Sequence, residues 1–533
     1  MFQWAKGVIW GPNENYTRSF SHLPVRKGKP RNGVQLNIPE QYNFALDQYS
    51  VVGSLGAGSF GCAFRVVHND TGGEYVIKVM QIMDQKMGDL VERELAVGLL
   101  LSETYANDPF IAGTFGASTS NGLKQRFHQH VFENCRELAE EWRVYGWGGT
   151  FVYVLMAYVP SGDLLKLIQQ TKRVSVDSTR TFAFGMFWML HTSSQKFGFV
   201  HGDLKAQNIL VAGAPADGVF RLVSRDGASV VKDYAIRKGQ LIPQVIDFGL
   251  SYLYTNRMGQ RGSGGTIVYQ APESLAEWML GDYNPINTIS GDVWAVIITL
   301  LDMTVELPYF SQVRDRNIME LTTYLVKRFY SNAPNRQEIF NNVLVLLNML
   351  RIYLAAAVIR PTDLKIENNP YQFRLYAFYT DMLRDNKAVN LWKIACRRDM
   401  NPFVGYMNRL RELGDPAFYD FILKGLNPNT KERVIPFTKA ADWTGGLAAY
   451  LNHPFFGPLR IKPQATFDYR VTTEGTLQSQ PYGPTQTHRI TRLKTSGLTV
   501  SNQCQIATKL CESTARYKCK CCNKTYCGEE CRV

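Results

Sequence analysis

His201-Gly202-Asp203-Leu204-Lys205-Ala206-Gln207-Asn208 is the stretch on which the fold turns. It is followed in order by Asp247-Phe248-Gly249, Ala271-Pro272-Glu273 and Asp292-Val293-Trp294. A single Asp or Asn in a loop is ordinarily a cap or a turn residue. Here carboxylates, a carboxamide and an ammonium recur in one order between apolar runs, and chance assembly does not produce that.

Upstream the chain reads as β structure: Val51-Val52, a glycine cluster, Ala63 to Val67, a His68-Asn69-Asp70-Thr71-Gly72-Gly73 turn, and Tyr75 to Met80. Gly56, Gly58 and Gly61 form G-x-G-x-x-G between two strands, not at the start of a helix as a dinucleotide-binding fingerprint requires. Glycines in such a hairpin let the backbone approach phosphates, and Lys78 follows on the next strand, where an ammonium reaches them. Asp89 to Ser102 is predicted helical. Glu94 shares its face with Leu90, Val91, Val97, Gly98 and Leu101, and a carboxylate in an apolar stripe needs a cation. Lys78 is the candidate partner, with Glu94 preferred over Glu92. Phe151 to Tyr158 is predicted as a strand ending at Pro160-Ser161-Gly162. After Asp163 the spacing turns mainly helical through Thr179 to Ser193, Val293 to Thr304 and Asn341 to Ile359. The expected fold class is α+β: a small β-rich lobe with one helix, then a larger helical lobe.

Taken together, these motifs resemble the eukaryotic-type protein kinase family over residues 50–456, with a small lobe at about 50–159 and a large lobe at about 160–456. Asn427-Pro428 before Arg433, and His453-Pro454-Phe455-Phe456, are similar to the end of that family's domain. The resemblance implies ATP and magnesium as cofactors and a role for each motif residue. Asp203 would orient the substrate hydroxyl and accept its proton, and Lys205 would stabilise the transferring phosphoryl group. Asn208 and Asp247 would hold magnesium. Gly56, Gly58, Gly61 and Lys78 would hold the nucleotide phosphates, with Glu94 paired to Lys78. Met156 would stand at the gatekeeper position, Ala157 and Val159 would offer backbone groups to adenine, and Asp163 would meet the ribose. Lys205 two residues after Asp203, with Gly265-Thr266 before Tyr269-Gln270-Ala271-Pro272-Glu273, is the serine/threonine pattern. Glu273 would pair with Arg433, and Asp292 would support the catalytic loop.

The sequence also departs from the pattern. Gly202 stands where an arginine often reads out activation-loop phosphate, so phosphorylation of Thr255 or Ser263 is not expected to be required for activity. Ala63 replaces a valine and Ile297 a common glycine. Ala212 to Pro243 must house an inserted loop or hairpin. Residues 310–415 are expected to form a helical insertion docked on the large lobe, and Leu123 to Gly149 a small-lobe insertion whose Trp142 and Trp147 fill core.

Composition frames the rest. The 533 residues are 45% hydrophobic and 20% charged, which disfavours wholesale disorder, collagen and coiled coil. The apolar stretches Phe182 to Leu190 and Val343 to Ile359 are too short or interrupted by Asn348 and Arg351, so no membrane span is expected. Met1 to Asn13 lacks an apolar signal core, which points to an intracellular, cytoplasmic or nuclear location in a reducing compartment. Compact motifs, large insertions and an appended tail would suit a divergent protist kinase or a viral, virion-associated one. The net charge of +13 favours acidic partners without choosing among them, and no nucleic-acid motif accompanies it. Residues 1–49, with a basic run at Arg26, Lys27, Lys29 and Arg31, read as an irregular extension, and residues 457–503 read as a polar linker.

Seven of ten cysteines fall in residues 504–533. Cys519-x2-Cys522-x4-Cys527-x3-Cys531 resembles the latter part of a MYND- or HIT-type zinc finger, and four thiolates so spaced can surround zinc. Cys504 and Cys511 are alternative ligands by that family's order, and Cys521 can stand in for Cys522. Such a module implies a protein partner. Two function classes follow: a serine/threonine protein kinase acting on protein substrates, or a pseudokinase scaffold that binds nucleotide and partners without transfer. A small-molecule kinase of similar fold fits less well with the Thr266 to Glu273 segment.

Overall fold

The computed structural model describes residues 36–461, apart from 37, 59–60, 107, 146, 148, 224–229, 254–264, 280–287, 332, 334 and 435–442, together with 517–518 and 525–526. The small lobe is built on a five-stranded antiparallel sheet of order β1-β2-β3-β5-β4. Its strands are β1 (Tyr49–Gly58), β2 (Gly61–His68), β3 (Glu74–Ile82), β4 (Thr114–Asn121) and β5 (Thr150–Ala157). Helix α1 (Gln85–Thr104), capped by Asp84 through the Met87 N–H, covers one face. There it packs Val91, Leu95 and Leu99 on Met80, Ile82, Val152 and Val154.

Two further helices, α2 (Gln125–Asn134) and α3 (Arg136–Tyr145), cover the opposite face. Phe127, Val131, Leu138 and Trp142 meet Cys62, Phe64, Val66, Ile77 and Val79 there. An antiparallel sheet often leaves one face to water; here both faces are buried, and the alternation along β2 and β3 serves two cores. Trp142 is buried, while Trp147 is half-buried against Phe132. The Sγ atoms of Cys62 and Cys135 are bonded across this second face. A reading of the cysteines that looked only to the tail overlooked this pair.

The extension assigned to residues 1–49 is corrected from residue 36 onward. Tyr42, Phe44 and Leu46 are buried in the small lobe, Asn43 bridges Ala117 on the edge of β4, and Tyr42 Oη donates to Glu103 Oε1 of α1 at 2.7 Å. Polarity and punctuation concealed a segment whose alternate residues are apolar.

The large lobe begins with α4 (Leu164–Thr171) and the buried α5 (Val176–Phe197), which runs from its Ser175 cap to a left-handed Gly198. After β6 (Phe199–Val200), the strands β7 (Ile209–Gly213), β8 (Gly218–Val223), β9 (Val230–Ile236), β10 (Leu241–Val245) and β11 (Tyr252–Leu253) follow. β8 and β9 are the insertion between Ala212 and Pro243, and they form a hairpin. Phe220 packs on Phe110, Phe184 and Trp188, and Tyr234 Oη donates to Leu451 O at 2.6 Å. Contacts with the lobe continue a few residues past 456. Pro454–Leu459 is helical, Arg460 bridges Tyr234, and the Ile461 N–H donates to Asp233 O, so the hairpin ties down the end of the domain.

Helices α6 (Pro272–Met279) and α7 (Ile289–Val305) precede the large insertion. It comprises α8 (Arg316–Phe329), α9 (Arg336–Ala357), α10 (Phe373–Arg384), α11 (Asn386–Ala395) and α12 (Phe403–Glu412). These run into α13 (Pro416–Gly425), α14 (Thr430–Arg433) and α15 (Trp443–Leu451). Helix α9 is long and apolar enough to cross a bilayer, but 78% of that stretch is buried inside the lobe, as in a core helix. It packs against α6, α8 and α12. The insertion therefore shares the large lobe's core. In the tail, β12 (Tyr517–Lys518) pairs antiparallel with β13 (Thr525–Tyr526). All the tail cysteines, and Thr255 and Ser263, lie outside the described residues.

Candidate active site

The glycine segment closes the hairpin between β1 and β2, with Gly58 opposite Gly61 and a register shift at Gly56. Gly61 has a steric reason to be glycine: a Cβ there would lie 2.4 Å from Val79 O on β3. One strand further in, Lys78 Nζ donates to Glu94 Oε1 at 2.7 Å and lies 3.7 Å from Asp247 Oδ1. Glu92, the alternative partner, is buried elsewhere on α1. Burial disfavours the Lys78 charge, but the carboxylates of Glu94 and Asp247 outweigh it and hold the ammonium above the ordinary lysine range. Burial raises Glu94, against the pull of Lys78.

Asp203 lies at the centre of the lower half of the cleft. Its Oδ2 accepts from Lys205 Nζ at 2.6 Å and from Asn208 Nδ2 at 3.2 Å. Its Oδ1 accepts from the Thr266 N–H at 2.8 Å and Oγ1 at 2.9 Å. Asn208 Nδ2 also donates to Asp203 O at 2.9 Å, which leaves the amide oxygen as the donor available to a cation. Asp247 has φ of 64°, a left-handed conformation that a non-glycine residue adopts only where the surroundings enforce it. Burial works against its charge, yet Lys78, His201 and Lys205 together hold its pKa below the ordinary value.

The loop carrying Asp203 is fixed from below. Asp292 on α7 accepts from the His201 N–H at 2.7 Å and the Gly202 N–H at 3.0 Å. Burial raises Asp292 to about 7, and those two N–H groups pull the other way. Gly202 has φ of 80°, where an arginine would be strained, so the departure at this position is built into the loop backbone. Arg433 donates to both Glu273 oxygens, at 2.8 and 3.1 Å, and its guanidinium lies over Trp294.

The adenine and ribose expectations narrow. The Ala157 N–H already donates to Gly113 O, and Val159 O accepts from the Gly162 N–H. Contact with a base is thereby narrowed to the Ala157 carbonyl and the Val159 N–H. Met156 packs at the edge of the α1 core. Asp163 is the N-cap of α4, with Oδ1 accepting from the Lys166 N–H at 2.9 Å.

Sequence reasoning noted Thr266 only as part of a pattern; its two hydrogen bonds to Asp203 make it a positioning residue, and no local signal announced that contact. Among the described residues no three His, Cys, Asp or Glu side chains converge as a metal-binding group. One carboxylate and one carboxamide, Asp247 and Asn208, nevertheless fit a magnesium ion that takes its remaining ligands from phosphate and water.

A family model for the protein kinase domain matches residues 49–456. The chain belongs to the protein kinase family. The kinase is similar to the probable serine/threonine protein kinase IREH1 of Arabidopsis thaliana, 24% identical over 318 residues, covering 56% of this chain and 19% of that protein. It is similar to the serine/threonine-protein kinase dst1 of Dictyostelium discoideum, 24% identical over 325 residues, covering 59% and 34%. The serine/threonine-protein kinase pakE of the same organism is 24% identical over 344 residues, covering 62% and 29%. The kinase thus spans less than half the length of these relatives.

Proposed function

We propose that this kinase transfers the γ-phosphate of ATP to serine and threonine hydroxyls of protein substrates. The observation that carries the reading is the convergence of Lys78, Glu94 and Asp247 above Asp203, Lys205, Asn208 and Thr266 in one cleft. Phosphoryl transfer asks the protein mainly for alignment and charge neutralisation. Asp203, held by Thr266 and Asn208, orients the acceptor hydroxyl and takes its proton. Lys205, already against Asp203, balances negative charge at the point of transfer. Lys78, fixed by Glu94, steadies phosphate oxygens under the glycine hairpin, and Asp247 with Asn208 holds magnesium. When bound, MgATP supplies the phosphoryl group and a cation that neutralises its charge. The serine/threonine names of the relatives and Lys205 support that acceptor class.

Labelled ATP with magnesium and mixed Ser/Thr peptides tests the reading. Wild type is expected to yield phosphoserine or phosphothreonine, with Asp203→Ala and Lys78→Met both inactive. Folded wild type that binds nucleotide yet transfers nothing would establish the scaffold class instead.

The tail carries the finer part of the proposal: Cys519, Cys522, Cys527 and Cys531 bind a structural zinc and the module recruits a protein partner. Pairing of β12 with β13 supports it, because in the sequence Cys519 and Cys522 fall between those strands and Cys527 follows the second. Zinc content by mass spectrometry of wild type and of Cys519→Ser/Cys522→Ser checks it. Equal zinc in both would redirect the assignment to Cys504 and Cys511.

A further inference from the structure

Cys62 immediately follows Gly61 and lies opposite Val79, one position from the Ala63–Lys78 pair. Its side chain is on the face of β2 turned away from the nucleotide cleft, in the core formed with α2 and α3. Cys135 occupies the junction between those helices, at the C-cap of α2, where its N–H donates to Val131 O. The two Cα atoms are 6.3 Å apart, within the span of roughly 4.4–6.8 Å that a disulfide bridges. Both side chains are almost wholly buried, at 0% and 2% exposure. The bond joins residues 73 apart in sequence, one on the strand roofing the cleft and one in an insertion that seals the sheet's outer face.

We propose that Cys62 and Cys135 are a reversible oxidation site whose cross-link staples the α2–α3 insertion to the roof strand and preorganises the glycine hairpin for nucleotide. The oxidant is a low-molecular-weight disulfide of the glutathione class. One thiolate of the pair attacks it, forming a mixed disulfide and releasing one thiol. The second cysteine attacks that mixed disulfide, closes the Cys62–Cys135 bond and releases the other thiol. The pair loses two electrons and two protons, and both are carried off on the two released thiols. Because both sulfurs are buried, exchange waits on separation of α2 from β2, and the redox state outlasts a nucleotide-binding event. The functional read-out rests on the kinase reading; the cross-link does not.

The 533-residue chain is equilibrated with oxidised glutathione or dithiothreitol, alkylated under denaturing conditions and digested. A Cys62–Cys135 linked peptide is expected after oxidation and its loss after reduction. MgATP affinity is then measured by calorimetry. The oxidised form is expected to bind about threefold or more tightly, as a preorganised site does, with Cys135→Ser and Cys135→Ala both indifferent to redox state. Two alkylated cysteines after oxidation, or equal affinities in the two redox states, would overturn the proposal. If neither form binds MgATP, the nucleotide reading fails, and melting decides the staple: a higher midpoint for oxidised wild type, absent in the Cys135 variants, supports it, and equal midpoints overturn it.

Discussion

Two charged clusters, one in the cleft and one in the helical insertion, show what separates a site that acts from a site that holds. Among the described residues of the cleft, Glu94, Asp203 and Asp247 pair with two ammonium groups, Lys78 and Lys205, and side-chain exposures of 10–38% leave room for a ligand. In the insertion, Arg351 is wholly buried. It donates to Asp315 Oδ2 at 2.8 Å, Asn348 Oδ1 at 2.9 Å and Met400 O at 3.1 Å. Asn348 in turn spends its amide on Phe310 O and Val313 O, and Asn401 donates to Arg351 O. The first cluster has an excess of negative charge that a metal–phosphate complex would balance. The second pairs one guanidinium with one carboxylate and with neutral oxygens of the insertion itself, so its charge is balanced within the lobe.

The sharpest way to break the comparison is to exchange the read-outs. Asp203→Ala is expected to lower phosphotransfer by roughly 10³-fold, the scale of a positioned proton acceptor, with the melting midpoint unmoved. Arg351→Met is expected to do the reverse, costing about 3 kcal/mol of stability while the folded fraction keeps its specific activity. Denaturant titration beside activity per folded molecule reads both; a stable but inactive Arg351→Met would place the insertion in the catalytic machinery.

A third buried group has no counter-charge among the described residues. His191 on α5 is 3% exposed, its Nδ1 has no hydrogen-bond partner, and burial lowers its pKa to about 4. A base depressed on folding contributes stability above its unfolded pKa near 6.5 and loses it as pH falls toward 4. At about 1.4 kcal/mol per pH unit the loss approaches 3 kcal/mol at pH 4. The difference in stability between wild type and His191→Gln from pH 7 to 4 is expected to show this slope, because the raised carboxyl of Asp292, which acts in the opposite direction, is common to both.

The smallest effect concerns packing without charge. A Cβ on Gly425 of α13 would fall 2.2 Å from Ile297 Cγ1 of α7, so Gly425→Ala is expected to cost about 2 kcal/mol. Ile297→Ala in the same chain should recover part of it. Purely additive losses in that double-mutant cycle would show that the two positions do not share one space.

Much of the cleft was legible because Asp203, Asn208 and Asp247 stand in motifs that resemble the protein kinase family's in order, while the glycine hairpin could be read from local constraints alone. Strand β4 was not, since Thr114-Phe115-Gly116-Ala117-Ser118-Thr119 alternates too weakly to announce itself. It is placed by pairing with β5 and by Ser102 Oγ accepting from the Thr114 N–H. The swap between Ile297 and Gly425 was equally hidden: one departure was visible, but its compensation lies on another helix.

By itself, then, the sequence placed the cleft residues through their resemblance to the family's motifs, and its own chemistry determined the glycine hairpin and that Lys78 would seek Glu94. The last two follow from local geometry and from the cost of an unpaired buried charge, both readable within a few residues. Only the tertiary structure decided that Thr266 holds Asp203 and that residues 36–48 belong to the small lobe. It alone decided that Cys62 meets Cys135 and that Arg351 closes a network with Asp315. Each of those contacts joins segments far apart in the chain, where proximity is set by how whole elements pack and leaves no local signal.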